Sequence, residues 1–321
     1  MKWVVALLAA ALLLTGTAGC GGSGAEPGAP QGVALVLDFT PNAAHSGLYA
    51  AKREGYYGDA GIDLTIRQPG ESSDAPKLLE AGRVDFAILD IHDLGIARER
   101  GLDLVGAMAL VQRPLAAVIA RAGNGVRRPR ELEGRTVGVT GLPSDEAVVD
   151  SEVSADGGNP AAVKRVTIGF NAISSLAAGK VDAATGFWNA EGVALRRQGI
   201  PIRVFKVNRY GAPPYPELVL VATRETIEHE PDLVRSFVSA TTRGYDLTVS
   251  DPQRALDDLL AEVPTLDRAE QRAQLEALLA DLHPAPFDLG VLRAWAAWDL
   301  EHGLLQRPLD VRAAFELGLQ P

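Results

Sequence analysis

The stretch VLDFTPNAAHSGLYA (36–50) collects an acid, an aromatic ring, an amide and an imidazole in Asp38, Phe39, Asn42 and His45. A second group stands in GFWNAE, where Trp188, Asn189 and Glu191 follow Phe187, and Asp90 closes the run VDFAILD. Pro143 and Ser144 lie in TGLPSDE, and Tyr215 in GAPPYPE. Aromatic faces hold flat rings. Carboxylates accept hydrogen bonds from amino groups or pair with a protonated ring nitrogen, and amides read both donors and acceptors. Gathered in one cleft, these side chains suit a planar, nitrogen-rich molecule that carries an amine. Each also has a local reading. Asp38 and Asp90 stand where helices are capped, and Asn42 follows Pro41 as turns prefer. Trp188 suits packing between lobes, Glu191 a solvated first turn, and His45 the surface. GLPSD has the form of a helix start whose backbone N–H groups face an anion.

Bond-making chemistry is not written in these residues. GxSxG, HExxH, P-loop and CxxC patterns are absent, and no GxGxxG follows a strand and opens a helix. The five histidines (45, 92, 229, 283 and 302) have no ligand spacing, and His92 and Asp93 beside Asp90 read as helix-capping residues. The expectation is a binding protein with no catalytic residue, no cofactor and no metal.

The elements that must position these residues alternate. GVALVLDF, IDLTIRQ, VDFAILD and LDLVGAMAL read as strands, with helices over 43–57, 73–81 and 91–100. Such alternation predicts βαβ units and a parallel sheet covered by helices. The order then recurs. RTVGVTG, VKRVTIG and VDAATGF are strands, SDEAVVDSEVSADGG and 171–179 are helices, and AGKVDAATGF echoes AGRVDFAILD. Gly82 with Gly179, and Gly101 with Gly199, repeat at nearly one offset, a domain-scale duplication. ELVLVAT adds a strand, and residues 252–321 read as helical, with Trp295 and Trp298 spaced for core packing on one face. The prediction is α/β, with two lobes: 33–120 completed by 218–321, and 121–217. The chain crosses between them near 118–124 and 212–218. Ligands in open α/β sheets sit beyond the carboxyl ends of strands, where the residues above stand.

The start of the chain is a separate object. MKWVVALLAAALLLTGTAGC has one Lys, a short apolar core and small residues ending at Cys20, the only cysteine. It reads as a secretory signal over 1–20 with a lipobox-like end, Thr17 standing where Leu is usual, and a lipid on Cys20. GGSGAEPGAPQG (21–32) reads as a flexible tether. The net charge of −10 over 321 residues argues against nucleic acid. These features place the chain outside the cytoplasmic membrane, lipid-anchored, at the cell surface or in a periplasm.

The run LDFTPNAAHSGLYAAKREGYYGDAGIDLTI resembles the entry motif of the NMT1/THI5-like family of substrate-binding proteins, in which Trp commonly stands at the position of Phe39. LLEAGRVDFAI, ELEGRTVGVTGLPSDEAVV and VDAATGFWNAEGVAL continue the resemblance over roughly 33–250. It implies a type II periplasmic-binding-protein fold, the ligand-capturing part of an ABC importer, acting as a monomer with a permease and a cytoplasmic ATPase. Bacterial members bind thiamine-precursor pyrimidines such as formylaminopyrimidine, and some relatives bind riboflavin. By motif match, Asp38, Phe39, Asn42, Trp188, Asn189 and Glu191 become ligand contacts. Eukaryotic relatives are pyrimidine synthases with a cysteine-rich iron motif, which a chain with one cysteine does not carry. A sulfonate or nitrate binder would share the fold but wants Arg or Lys at the strand ends, which here are mostly acidic. A sensory or scaffold lipoprotein is a weaker alternative.

Overall fold

A computed structural model describes residues 29–70 and 74–319. The signal segment 1–20, Cys20 with its expected lipid, and the tether as far as Gly28 lie outside the described residues. Gln31 and Gly32, counted with the tether, belong instead to the first strand, where they pair with Ile62 and Asp63.

Among the described residues the apolar runs form ten strands. β1 (Gln31–Val36), β2 (Ile62–Arg67), β3 (Phe86–Asp90) and β4 (Leu104–Ala109) come first. β5 (Ala116–Arg121), β6 (Thr136–Val139), β7 (Lys164–Thr167), β8 (Ala183–Phe187) and β9 (Ile202–Lys206) follow, and β10 (Leu218–Thr223) closes the series. They make two five-stranded sheets, ordered β2-β1-β3-β10-β4 and β7-β6-β8-β5-β9. The orders are the same pattern twice, as the internal echo predicts. β4 is buried throughout and β10 nearly so, as continuous apolar strands covered on both faces must be.

The sheets differ from expectation in one respect. Neither is wholly parallel, because β10 lies antiparallel between β3 and β4, and β5 lies antiparallel to β8 and β9. β5 has no counterpart among the expected strands. It joins the second sheet, so the first crossing occupies 110–115, upstream of the predicted 118–124. The second crossing runs from β9 up to β10. Each inserted strand is the one by which the chain arrives from the other lobe.

Glycines set the packing behind the first site residues. The Ser46–Arg53 helix lies against the long Pro231–Ser250 helix, and an added Cβ on Gly47 would fall 2.4 Å from the Tyr245 ring. A Cβ on Gly244 would fall 2.0 Å from the Gly47 carbonyl oxygen. This close approach explains the small residues of HSGLYAA. The C-terminal chain returns to the first lobe, where Trp295 and Trp298 are buried and Phe315 bridges to Gly106 of β4. Among the described residues no helix is long and apolar enough to cross a membrane.

Candidate functional site

One cavity opens between the two sheets at the carboxyl ends of β1, β3, β6 and β8. From the first lobe come Asp38, Phe39, Asn42, Asp90, His92 and Asp93. From the second come Thr140, Ser144, Asp145, Phe170, Phe187, Asn189 and Glu191. The cleft expected from strand ends is therefore present. Of the residues singled out in the sequence, Asp38, Phe39, Asn42, Asp90, Ser144, Asn189 and Glu191 line it, whereas His45, Pro143, Trp188 and Tyr215 do not.

The opening segment explains itself through His45. Its Nδ1 accepts the Asn42 backbone N–H at 3.1 Å, which leaves Nε2 to carry the hydrogen toward Asp38 Oδ1 at 2.8 Å. His45 is fully buried. It is not a surface residue and does not line the cavity: it aims Asp38. Asn42 is also spent locally, because its Oδ1 accepts from Ala44 N and its Nδ2 donates to the Thr40 carbonyl. Its side chain caps the first helical turn rather than standing free for a ring nitrogen.

Asp90 does both things foreseen for it. It caps the Ile91–Glu99 helix by accepting from His92 N at 2.8 Å, and it lines the cavity. Burial holds its carboxyl well above the usual range, and the neighbouring Glu217 adds to the rise. Asp93, one turn on, is pushed to about 8 by burial and by Asp90. His92 is buried, which opposes its charge. Asp299 at 2.7 Å and Asp90 outweigh this and push the imidazole up to about 10. His92 and Asp93 read as simple capping residues in the sequence, yet they form the floor of the cavity.

In the second lobe, Pro143 opens the Pro143–Ala155 helix and stays exposed. This helix start is not an anion site, because Asp145 from its first turn takes the Thr140 N–H and hydroxyl. Burial raises the Asp145 carboxyl. Glu191 folds back so that Oε2 accepts Phe187 N at 2.8 Å, and burial raises its carboxyl too. Asn189 is 1% exposed and its Oδ1 has no partner among the described residues, so an acceptor faces the cavity.

Two aromatic expectations require correction. Trp188 does not stack on the cavity: its indole N–H donates to the Pro114 carbonyl at 3.0 Å, and the Lys206 ammonium lies 3.2 Å from the ring centroid. Phe187 and Trp188 are consecutive at a strand end and point to opposite sides. Tyr215 does not line the cavity either, being wholly buried edge-on to His92. The ring unforeseen in the sequence is Phe170, 46% exposed on the loop after β7. It meets Phe39 from the opposite lobe edge-to-face at 4.5 Å between centroids.

A polar clasp backs the cavity at the crossings. Glu217 is fully buried, accepts the backbone N–H groups of Leu115 and Ala116, and acts electrostatically on Asp90. Its own N–H donates to the Val111 carbonyl at 3.0 Å. One carboxyl on the second crossing thus holds the first and acts on Asp90 at the site.

The fold matches that of the periplasmic aliphatic sulphonate binding protein SsuA from Escherichia coli, with a TM-score of 0.75 over 89% of this chain and 97% of that one, at 15% identity. The two α/β lobes joined by two crossings are the type II periplasmic-binding-protein fold. In sequence the chain is 31% identical to a formylaminopyrimidine-binding protein of Halalkalibacterium halodurans, over 97% of each chain. It is 26% identical to a 4-amino-5-hydroxymethyl-2-methylpyrimidine phosphate synthase of Legionella pneumophila, over 73% of this chain and 74% of that one. The family described as NMT1/THI5 like matches residues 42–255, and with the full-length likeness to a relative this makes the chain a member of the NMT1/THI5-like family.

Proposed function

We propose that this chain is the solute-binding component of an ABC importer, and that it captures formylaminopyrimidine or a closely related aminopyrimidine between its lobes. The observation that carries the reading is the composition of the cavity. Phe39, Phe170 and Phe187 supply ring faces, carboxyls and the free Asn189 oxygen supply acceptors, and no Lys or Arg lines it among the described residues. An oxyanion would find no cationic partner there except His92, whose charge Asp299 already answers. The name of the full-length relative supports the choice of ligand.

In this reading the ligand enters an open cleft and the lobes close about the two crossings. The first lobe is 33–120 with 218–321 and the second 121–217, adjusted so that β5 travels with the second. A lipid on Cys20 holds the chain at the outer face of the cell membrane, where the closed monomer docks on a permease driven by a separate ATPase. No bond is made or broken. The synthase-like relatives represent a different use of the fold, for which this chain lacks a cysteine-rich iron motif.

A thermal-shift panel on the chain from Gly21 onward tests this, with formylaminopyrimidine, hydroxymethyl-aminopyrimidine, thiamine, riboflavin, taurine and nitrate. A true ligand at about 100 times its Kd adds roughly 2.7 kcal/mol of stability. A shift with the aminopyrimidines is the expected result. A shift only with riboflavin, or only with taurine or nitrate, would overturn the ligand assignment.

A further inference from the structure

Five carboxyl groups face one cavity: Asp38, Asp90 and Asp93 from the first lobe, Asp145 and Glu191 from the second. The groups that face Asp93 are Asp90 and His92 beside it, Asp38 from the segment after β1, and Asp145 across the cleft. His92 is the one basic side chain in the lining among the described residues, and it is held by Asp299 at 2.7 Å. His92 acts on both Asp90 and Asp93 and its Nε2 has no partner among the described residues, so one imidazole is set against five acids. They do not form a metal centre either, since no three His, Cys, Asp or Glu side chains among the described residues are grouped to hold an ion. A second, independent feature asks for a donor at the same place. Asn189 is 1% exposed, lines the cavity and leaves its Oδ1 unpartnered among the described residues.

We infer that the cavity takes its ligand as an organic cation, an aminopyrimidine bound here being protonated on a ring nitrogen and held against Asp93. This rests on the proposed function and adds to it the charge of the bound ligand and a residue that reads it. A buried carboxylic acid opposite a neutral ring nitrogen and a carboxylate opposite a protonated one differ by a single proton moved along the hydrogen bond. The proton leaves the Asp93 carboxyl and joins the ring nitrogen, so none need come from solvent. Ionising Asp93 in the empty cavity adds a charge beside Asp90 with no counter-ion of its own, because the nearby His92 is shared with Asp299 and Asp90. A protonated ring supplies that counter-ion and forms a charge-assisted hydrogen bond. Its amino group is then left for the acids of the other lobe and for the Asn189 oxygen. Asp93 discriminates between a basic ring and a neutral one of the same shape.

The test uses the full chain with hydroxymethyl-aminopyrimidine labelled with nitrogen-15 in the ring, alongside its carbocyclic analogue, in which both ring nitrogens are CH. Thiamine serves as a permanently cationic probe. The nitrogen-15 shift of the bound ring is expected at the protonated position, at a pH where the free compound is neutral. Asp93→Asn is expected to weaken the aminopyrimidine about 10- to 100-fold, as loss of a hydrogen bond to a charged group does, while leaving the carbocyclic analogue nearly unchanged. A neutral shift in the wild-type complex, with aminopyrimidine and carbocycle binding alike, overturns the inference and leaves the aminopyrimidine reading standing. Binding of thiamine, which carries the same aminopyrimidine ring beside a thiazolium cation, without binding of hydroxymethyl-aminopyrimidine would place the recognised charge on the thiazolium and overturn the inference. Failure of all three probes to bind overturns both.

Discussion

Removing the Glu217 side chain should loosen the joint between the lobes by a measurable amount. Glu217 is fully buried and its Oε2 receives the N–H of Leu115, with that of Ala116 at 3.4 Å. Glu217→Ala leaves the Leu115 donor without its acceptor and weakens the support of Ala116. An unpaired buried donor costs about 1–3 kcal/mol, and the space left by the side chain adds to it. Relief from burying an acid, whose carboxyl burial already pushes up, offsets part of the loss. The expected net destabilisation is about 2–4 kcal/mol, a large share of a typical margin of roughly 5–15 kcal/mol. Glu217→Gln keeps an acceptor oxygen in place and should cost less than about 1.5 kcal/mol. Urea unfolding of the two variants against the parent gives the energies. Hydrogen exchange at the Leu115 amide gives a local readout that does not depend on a two-state transition. If the alanine variant unfolds within about 0.5 kcal/mol of the parent and Leu115 stays equally protected, the carboxyl does not hold the crossing and the reasoning fails.

Phe39 and Trp188 should separate in their effects. Phe39→Ala, at the cavity mouth, should weaken ligand binding with little change in stability. Trp188→Ala should destabilise the fold by about 3–5 kcal/mol, because it removes a buried ring from the crossing. Chemical unfolding and titration calorimetry on both decide it, and a stable Trp188→Ala protein that no longer binds would restore the stacking role. The unliganded protein should lose stability as pH rises from about 5 to 9. Asp93 is raised from 3.8 to about 8, so the stability it contributes is complete below its unfolded value and lost as pH climbs through 8. His92, raised from 6.5 to about 10, contributes below 6.5 and loses that contribution as pH rises through 10. Asp93→Asn should flatten the lower part of the profile by at most about 1.4 kcal/mol per pH unit, and a midpoint that rises across this range would contradict both assignments.

What the sequence made legible follows from how strands and loops encode direction. The end of an apolar run marks where a strand stops, so Asp38, Phe39, Asp90, Asn189 and Glu191 could be placed at the cleft without any structure. Periodicity at a strand end does not say which of two consecutive side chains turns inward. FWN therefore gave no means of choosing between Phe187, which lines the cavity, and Trp188, which packs on the crossing. β5 escaped because the run LAAVIAR sits between two lobes and reads as connection. Only its pairing with β8 and β9 makes it a strand. His92 and Asp93 carry helix-start signals that are true as far as they go, since the backbone N–H of His92 does bond to Asp90. A capping pattern satisfies local rules and leaves the side chains free for a second task, and sequence alone cannot register that task because the partners lie far along the chain. Asp299 and Glu217 are such partners: together with Asp90 they hold His92 charged, and Glu217 also ties the crossing. The floor of the cavity and the joint between the lobes are therefore one electrostatic unit, assembled from β3, the second crossing and the C-terminal helix Leu289–Glu301. Within it Asp90 stands between the other two carboxyls, raising Asp93 and itself raised by the Glu217 that holds the crossing.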